Sequence, residues 1–522
     1  MQYFQDIAAM ASYGSIGGYV GCWFSRYLAP QYRAPGPGLV VFNELTGLAF
    51  GLEGSRGAEA RAFARTPAST IFGQEANEPL GALGGGLGLV AANYGRPLAW
   101  YAAKYPVALE SAAQHAVSVT AAGGTAVPAS FLFLALTDTY VRAFIDTFSA
   151  LARRYHVTVV AGAVMPVLES AAACSANGYP GWTSCPGWRL TTKPGAVAAL
   201  ADPDLSLAYA TGRVRGVYEA VTPSVSNAAF VFAPDGTLYG VQPKVNLTAL
   251  ESELGWQPAP PSTITTFPQY VGAPESATVP GVRLGIAISL DAFEHGDAPR
   301  PCTDASSYVA CLSEQGATVL LQPEFNDGTA PCASWSTYSV SCSNPPAWQQ
   351  LGWMLSSWYD VEATTARGSP LYPSFHYAVN SFMVGNLYDL TGDGQSAIFS
   401  RADTRAQASD YVGDGNGALY QAPGAFTPYA DPTSSDDGSS TLDPLSLAQL
   451  EGPRPGFLAL TPWVLGAGGP APDVRYDPAL AAGDPGSLQS CTDGLVAGSG
   501  VSSGPCSENA YRATAVLADL RF

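Results

Sequence analysis

The stretch from Asn227 to Leu247 (NAAFVFAPDGTLYGVQPKVNL) decides the fold class. Two apolar runs, Asn227 to Phe232 and Leu238 to Val241, flank Ala233-Pro234-Asp235-Gly236. Proline presets one turn dihedral, and Asp-Gly tolerates the positive φ that a tight hairpin requires. The spacing predicts two paired strands with Lys244 just beyond the second. Working outward, Leu39-Val40-Val41-Phe42 follows the breaker Pro35-Gly36-Pro37-Gly38 and reads as a short buried strand. Thr137 to Tyr155 (TDTYVRAFIDTFSALARRY) has helical periodicity, with Thr137 or Asp138 as cap. His156 to Val164, Val282 to Ser289 and Ala317 to Gln322 read as further buried strands, while Ile16 to Leu28 and the Trp-rich Pro346 to Thr364 read as helices. Strands and helices alternate, so a layered α/β sandwich is expected.

Past about residue 400 the texture changes. Asp403 to Ser440 and Gly466 to Ser507 are rich in Gly, Pro, Asp and Ser. The expected organisation is one domain over residues 1–400 and a C-terminal β-rich accessory region over 401–522. Its last segment, Arg512 to Phe522, reads as a strand that closes a sheet.

Composition narrows the function. With 24 Lys+Arg against 42 Asp+Glu in 522 residues, the net charge is −18. No basic stripe exists to neutralise phosphates, which argues against nucleic acid or an anionic membrane surface as partner. The longest apolar runs, such as Phe131 to Leu136, fall far short of the ~18 residues of a spanning helix. Eight of the 9 cysteines form neighbouring couples: Cys174 with Cys185, Cys302 with Cys311, Cys332 with Cys342, and Cys491 with Cys506. Each couple encloses a loop-like stretch. No C-x-x-C occurs and there are only 4 histidines, so a zinc site is a poor reading and no metal or cofactor is expected. Disulfide-stapled loops instead imply an oxidising compartment, and a secreted or extracytoplasmic protein is expected. Cys22, left over in an apolar stretch, reads as a buried thiol. No signal-peptide pattern is legible at Met1, so a leader already removed or a start elsewhere is expected.

Three segments carry candidate chemistry. Glu44 directly follows the Val40-Val41-Phe42 strand, Lys244 follows the hairpin, and Ser289 ends the apolar run Gly285-Ile286-Ala287-Ile288. Singly, each has a bland reading as a loop carboxylate, a surface cation or a turn hydroxyl. In this order and with these flanks they resemble the carbon–nitrogen hydrolase (nitrilase) superfamily, whose catalytic set is Glu, Lys and Cys with a second Glu in support. The resemblance makes Glu44 the general base (Asn43 replacing the usual Pro), Lys244 the catalytic lysine and Glu251 the supporting glutamate. Gly316 to Pro323 is similar to the strand after the nucleophile, and Gly394-Gln395-Ser396-Ala397-Ile398 to a later element. The length, His295 four residues past Asp291, and the Cys174 to Cys185 loop look most like the secreted vanin and biotinidase branch.

The fold so implied, over about residues 35–400, is a nitrilase-type α-β-β-α sandwich. The implied activity is hydrolysis of a linear non-peptide amide, a small molecule, through an acyl-enzyme, in a chain that self-associates as homo-oligomers. Oxyanion stabilisation would fall to Lys244 and a backbone N–H near Leu290. Two departures stand out. The family nucleophile is a thiol with a pKa near ~8.5, whereas Ser289 carries a far less acidic hydroxyl. Ser289 therefore reads, in this order, as an introduced replacement, an inactive homologue, or a serine variant with weak activity. A non-catalytic binding or assembly protein on the same scaffold is the rival. The family's first strand should also precede the Ile16 helix, where little reads as strand, so a beginning further upstream is expected.

Other motifs have weaker claims. Asp389 to Gly394 imitates a calcium loop, but Ser400 stands where the bidentate Glu belongs. Gly84 to Gly88 lacks the Lys-Ser/Thr of a phosphate loop. His115, His156 and His376 read as structural, and Asn246-Leu247-Thr248 is a glycosylation sequon overlapping the lysine motif. Trp335, Trp348, Trp353 and Trp358 read as core or pocket wall.

Overall fold

The computed structural model describes residues 37–52, 54–58, 91–121, 129–295, 302–325, 357, 360–361, 372–383, 385–387, 390–392, 396–401, 411–412, 457–460, 517–518, 520 and 522. The Ile16 to Leu28 helix, Cys22, the Gly84 to Gly88 run, Trp335, Trp348, Trp353, Trp358 and the couples Cys332/Cys342 and Cys491/Cys506 lie outside them. So do most of the Pro346 to Thr364 helix and half of the calcium-like loop.

Two sheets form the centre. The first contains β1 (Gly38–Val41), β2 (Val157–Leu168), β3 (Val225–Phe232) and β4 (Leu238–Pro243), side by side in that order. β1 runs parallel to β2, and β3 is antiparallel to both β2 and β4. The second contains β5 (Thr266–Tyr270), β6 (Thr278–Ile286), β7 (Val319–Glu324), β8 (Tyr377–Phe382), β9 (Ala397–Ser400) and β10 (Phe457–Leu460), adjacent in chain order. Its inner strands β6, β7 and β8 are parallel, and the others are antiparallel.

The period-2 alternation of a strand assigns each face to a different layer. Val160, Ala229 and Val231 of the first sheet share one apolar cluster with Leu284, Ile286, Val319, Leu321, Tyr377 and Ile398 of the second. Their neighbours point the opposite way. Val159, Ala161, Phe230 and Phe232 pack with Phe133, Phe144 and Phe148 of the helices on one side. Ala287, Leu320, Ala378 and Phe399 pack with Tyr308, Val309 and Leu312 of the helix Tyr308–Glu314 on the other. Three apolar layers between four structural layers define an α-β-β-α sandwich.

The hairpin forms as the sequence predicts. Gly236 has φ 89°, and the turn closes by Ala233 N–H donating to Thr237 O at 2.8 Å. The Thr137 to Tyr155 segment is helical throughout, but as Thr137–Tyr140 and Asp146–Tyr155 with a π-turn, Val141–Ile145, between them. Neither Thr137 nor Asp138 caps it. Ala129–Ala135 is already helical, and the Tyr140 N–H is taken by Leu136 O at 2.9 Å, so no free amides remain there for a cap. The buried Asp138 instead pairs with Arg142 (3.0 Å) and accepts the Tyr218 N–H (2.8 Å). Disulfides join Cys174 to Cys185 and Cys302 to Cys311. In the C-terminal region, Phe457–Leu460 extends the second sheet, and Leu517–Ala518 pairs with Tyr411–Val412. Among the described residues, no helix is long and apolar enough to cross a membrane.

Candidate active site

The strand directions bring the candidate residues to related ends of the two sheets. β1 and β4 are the outer strands of the first sheet and point the same way, so Glu44 and Lys244 leave it at the same end and their side chains meet there, although 200 residues apart. Gly162 of β2 makes this approach possible: a Cβ there would lie 1.7 Å from the Glu44 carbonyl oxygen. Lys244 is tied down by its N–H donating to Asn227 O (2.8 Å), one residue past the β3–β4 ladder.

Lys244 is 1% exposed and ion-paired twice, to Glu44 Oε1 at 2.7 Å and Glu251 Oε2 at 2.8 Å. Asn227 Nδ2 donates to both carboxylates, each at 2.7 Å. The Phe325 N–H donates to Glu44 Oε2 (2.8 Å), and the Thr248 N–H and hydroxyl donate to Glu251 Oε2 at 2.8 and 3.0 Å. Thr248 and Glu251 thereby form a reciprocal capping box at the start of Ala249–Glu253. Burial pushes the Glu44 carboxyl up to about 7; Lys244 pulls it down and Glu251 pushes it further up. Burial works against the Lys244 cation, but Glu251 and Glu44 outweigh it and hold its pKa above the ordinary lysine range. One cation between two carboxylates, every partner fixed, is a charge arrangement set in advance of any ligand.

Ser289 begins the short helical turn Ser289–Phe293, is 1% exposed and has φ 51°. That left-handed conformation is costly for a residue with a Cβ and recurs where a side chain is presented on a sharp turn after a strand. Asp291 stitches the turn to the lysine loop. Its Oδ1 accepts the Asn246 N–H (2.7 Å) and Asn246 Nδ2 (3.0 Å), and its carboxylate also receives the Val245 N–H at 3.3 Å. Burial pushes Asp291 up to about 7 against the pull of Lys244. The sequon side chain of Asn246 is thus engaged inward, with a second contact to Ala305 O at 3.2 Å.

His295 lies at the end of the same segment. Its Nδ1 is 2.6 Å from Asp360 Oδ1, its ring stacks on Tyr372, and its carbonyl accepts the Tyr372 hydroxyl at 2.9 Å. Burial raises Asp360 to about 6, with His295 opposing. Sequence reasoning placed Glu44, Lys244, Glu251 and Ser289 as candidates but singled out neither Asn227, Asp291, Asp360 nor Glu324. Glu324 had the same signal as Glu44, a carboxylate ending an apolar strand. In the sequence Asn227 reads only as a hairpin residue, and nothing local marks it as bridging two glutamates. Among the described residues, no group of three or more His, Cys, Asp or Glu could hold a metal ion.

No family model matches the chain, and no curated protein matches it. Among solved structures it is similar to a cysteine-to-serine mutant of an amidase from Nesterenkonia AN1, of the nitrilase superfamily. That match covers 56% of this chain and 77% of that one, at 13% identity and a TM-score of 0.27. It is also similar to a carbon-nitrogen hydrolase from Helicobacter pylori G27, over 49% of this chain and 59% of that one, at 15% identity and a TM-score of 0.26. A third likeness is to an N-terminal amidase, over 37% of this chain at 11% identity and a TM-score of 0.20; there the chain spans 34% of the other's length. The chemistry of the site is accordingly read from its own geometry.

Proposed function

We propose that the chain is a carbon–nitrogen hydrolase of the amidase type, acting on a linear non-peptide amide through an acyl-enzyme in an extracytoplasmic setting. One observation carries this reading: the buried Glu44–Lys244–Glu251 triad, joined through Asp291 to the strained turn that bears Ser289. In the proposed reaction the nucleophile gives its proton to Glu44 and attacks the amide carbon. Lys244 and the N–H following Ser289 stabilise the developing oxyanion. Glu44 returns the proton to the leaving amine, then activates the water that cleaves the acyl-enzyme. Glu251 acts through Lys244, holding its ammonium in place. The disulfides Cys174–Cys185 and Cys302–Cys311 support the extracytoplasmic part of the reading.

The test is amide and nitrile turnover by the chain and by Ser289→Cys on one substrate panel, with intact mass to detect an acyl adduct. Turnover and an adduct of substrate-acyl mass at residue 289 are expected, faster in the thiol form. Neither in either form, with both folded, rejects the enzyme reading in favour of a binding or assembly protein on this scaffold.

A further inference from the structure

The Ser289 hydroxyl is far less acidic than a thiol, and a second buried carboxylate stands at its own end of the fold. β6 and β7 are parallel, with Ile286 in register with Leu321. Ser289 lies three residues past the first and Glu324 three past the second, so the two reach the same level on neighbouring strands. Strand alternation also assigns Gln322 and Glu324 to one face. Glu324 is 0% exposed, ends β7, and precedes Phe325, whose N–H binds Glu44. Gln322 Nε2 donates to Glu324 Oε2 at 2.9 Å, and Gln322 Oε1 accepts the Ser357 hydroxyl. Glu324 Oε1 has no hydrogen-bond partner among the described residues. Beside that register, the Ser289 hydroxyl lowers the pKa of this carboxylate as a side-chain donor, with no hydrogen bond closed to Oε1. A buried carboxylate oxygen left open beside a buried hydroxyl is costly unless it has work to do.

We propose that Glu324 is the catalytic base for Ser289, in a serine–glutamate dyad that leaves Glu44 free to serve the leaving amine. This deepens the amidase reading and rests on it. Burial, and then the charge of Glu44, hold Glu324 well above the ordinary carboxylate range, while Lys244 lowers it. Glu44 is itself raised by burial. Two raised carboxylates beside one cation are suited to sharing one proton. The reactive form is the minor tautomer in which the shared proton has passed from Glu324 to Glu44, leaving Glu324 ionised. Ser289 Oγ forms its bond to the amide carbon as its proton passes to Glu324, and the carbonyl π electrons move to oxygen. Collapse of the adduct breaks the C–N bond, and the amine leaves with the Glu44 proton. Glu44, now ionised, takes a proton from water as the hydroxide attacks the ester. Glu324 returns its proton to Ser289 Oγ, and the acid product departs. Atoms and protons balance with no further reactant.

Glu324→Gln and Glu324→Asp, each made with Ser289 and with Ser289→Cys, test the assignment. Thermal melting confirms folding in all six proteins (parents included). Amide turnover is read beside the rate at which an alkyl fluorophosphonate modifies Ser289, by intact mass. With Ser289, Glu324→Gln should slow both rates about 10²–10⁴-fold, the usual contribution of a general base, and Glu324→Asp should recover part. With Ser289→Cys the turnover loss should shrink to under about tenfold, because a thiol is partly ionised without help. Equal losses in both backgrounds, undiminished rates in the Ser289 form, or a folded parent whose Ser289 resists the fluorophosphonate would each overturn the dyad. Probe labelling that depends on Glu324, without turnover of any amide, would keep the dyad and reject the amidase reading. Turnover indifferent to Glu324→Gln would do the reverse.

Discussion

The two sheets end in polar clusters of opposite character. At the end of the first, the charges of Glu44, Lys244 and Glu251 and the Asn227 amide nitrogen pair with one another within 2.8 Å at residues of negative φ, while the Asn227 amide oxygen has no hydrogen-bond partner among the described residues. At the end of the second, Ser289 sits at φ 51° and the buried Glu324 Oε1 has no hydrogen bond among the described residues. A cluster whose charges are paired holds charge still, whereas a strained turn beside an unpaired carboxylate oxygen is a costly arrangement. On the proposed reading, the first sheet supplies the charged groups and the second the nucleophile.

The sharpest way to break that comparison is to remove a member of the charge-paired cluster and read chemistry. Glu44→Gln should lower kcat/KM about 10²–10⁴-fold. The Ser289→Cys form, whose thiol needs only Glu44 as base, should gain activity as pH rises through about 7, where burial keeps Glu44 protonated on the acid side. Glu44→Gln should abolish that limb in the pH profile of kcat/KM. A profile unchanged by the substitution would place the proton acceptor elsewhere.

Next in size is stability. Lys244→Ala leaves two buried carboxylates without their cation and should cost about 3–5 kcal/mol in urea unfolding. Gly162→Ala should cost about 1–3 kcal/mol and lower activity with it, since the new Cβ must displace the Glu44 backbone. An alanine tolerated there without loss would mean that the Glu44 loop is not held against β2.

Titration supplies a further comparison. Folding holds Asp291 at about 7 against an ordinary value of 3.8, chiefly through burial. A carboxyl raised in the native state favours folding while protonated, so its contribution is complete below about 4 and is lost as pH rises through about 7. Melting temperature followed from pH 4 to 8 should fall, and Asp291→Asn should flatten part of the fall. The smallest effect belongs to the strained turn: Ser289→Gly should raise stability by about 1 kcal/mol while ending turnover, because glycine adopts positive φ freely. A glycine that destabilises the chain would show that the Ser289 side chain holds the turn rather than being held by it.

Much of this was legible along the chain because its signals are local. Apolar runs bounded by Pro, Gly and Asp marked β1, β2, β3, β4, β6 and β7, since a buried strand needs only its own side chains and the turns beside it. Glu44, Lys244 and Ser289 were visible because each directly follows or ends such a run. The helix Thr137 to Tyr155 was also legible, but its cap was not: whether a terminus needs one depends on what precedes it in space, and Ala129–Ala135 had already supplied the preceding turn. The tertiary structure alone decided which polar residues meet. Asn227 bridges two glutamates, Asp291 binds the lysine loop, His295 takes Asp360, and Glu324 reaches the level of Ser289. Those contacts span from 24 to 183 residues of sequence in the case of Asn227 alone, and no periodicity carries over such separations. Strand order and register bring them together, and both are set by the packing of whole faces rather than by any residue in the site.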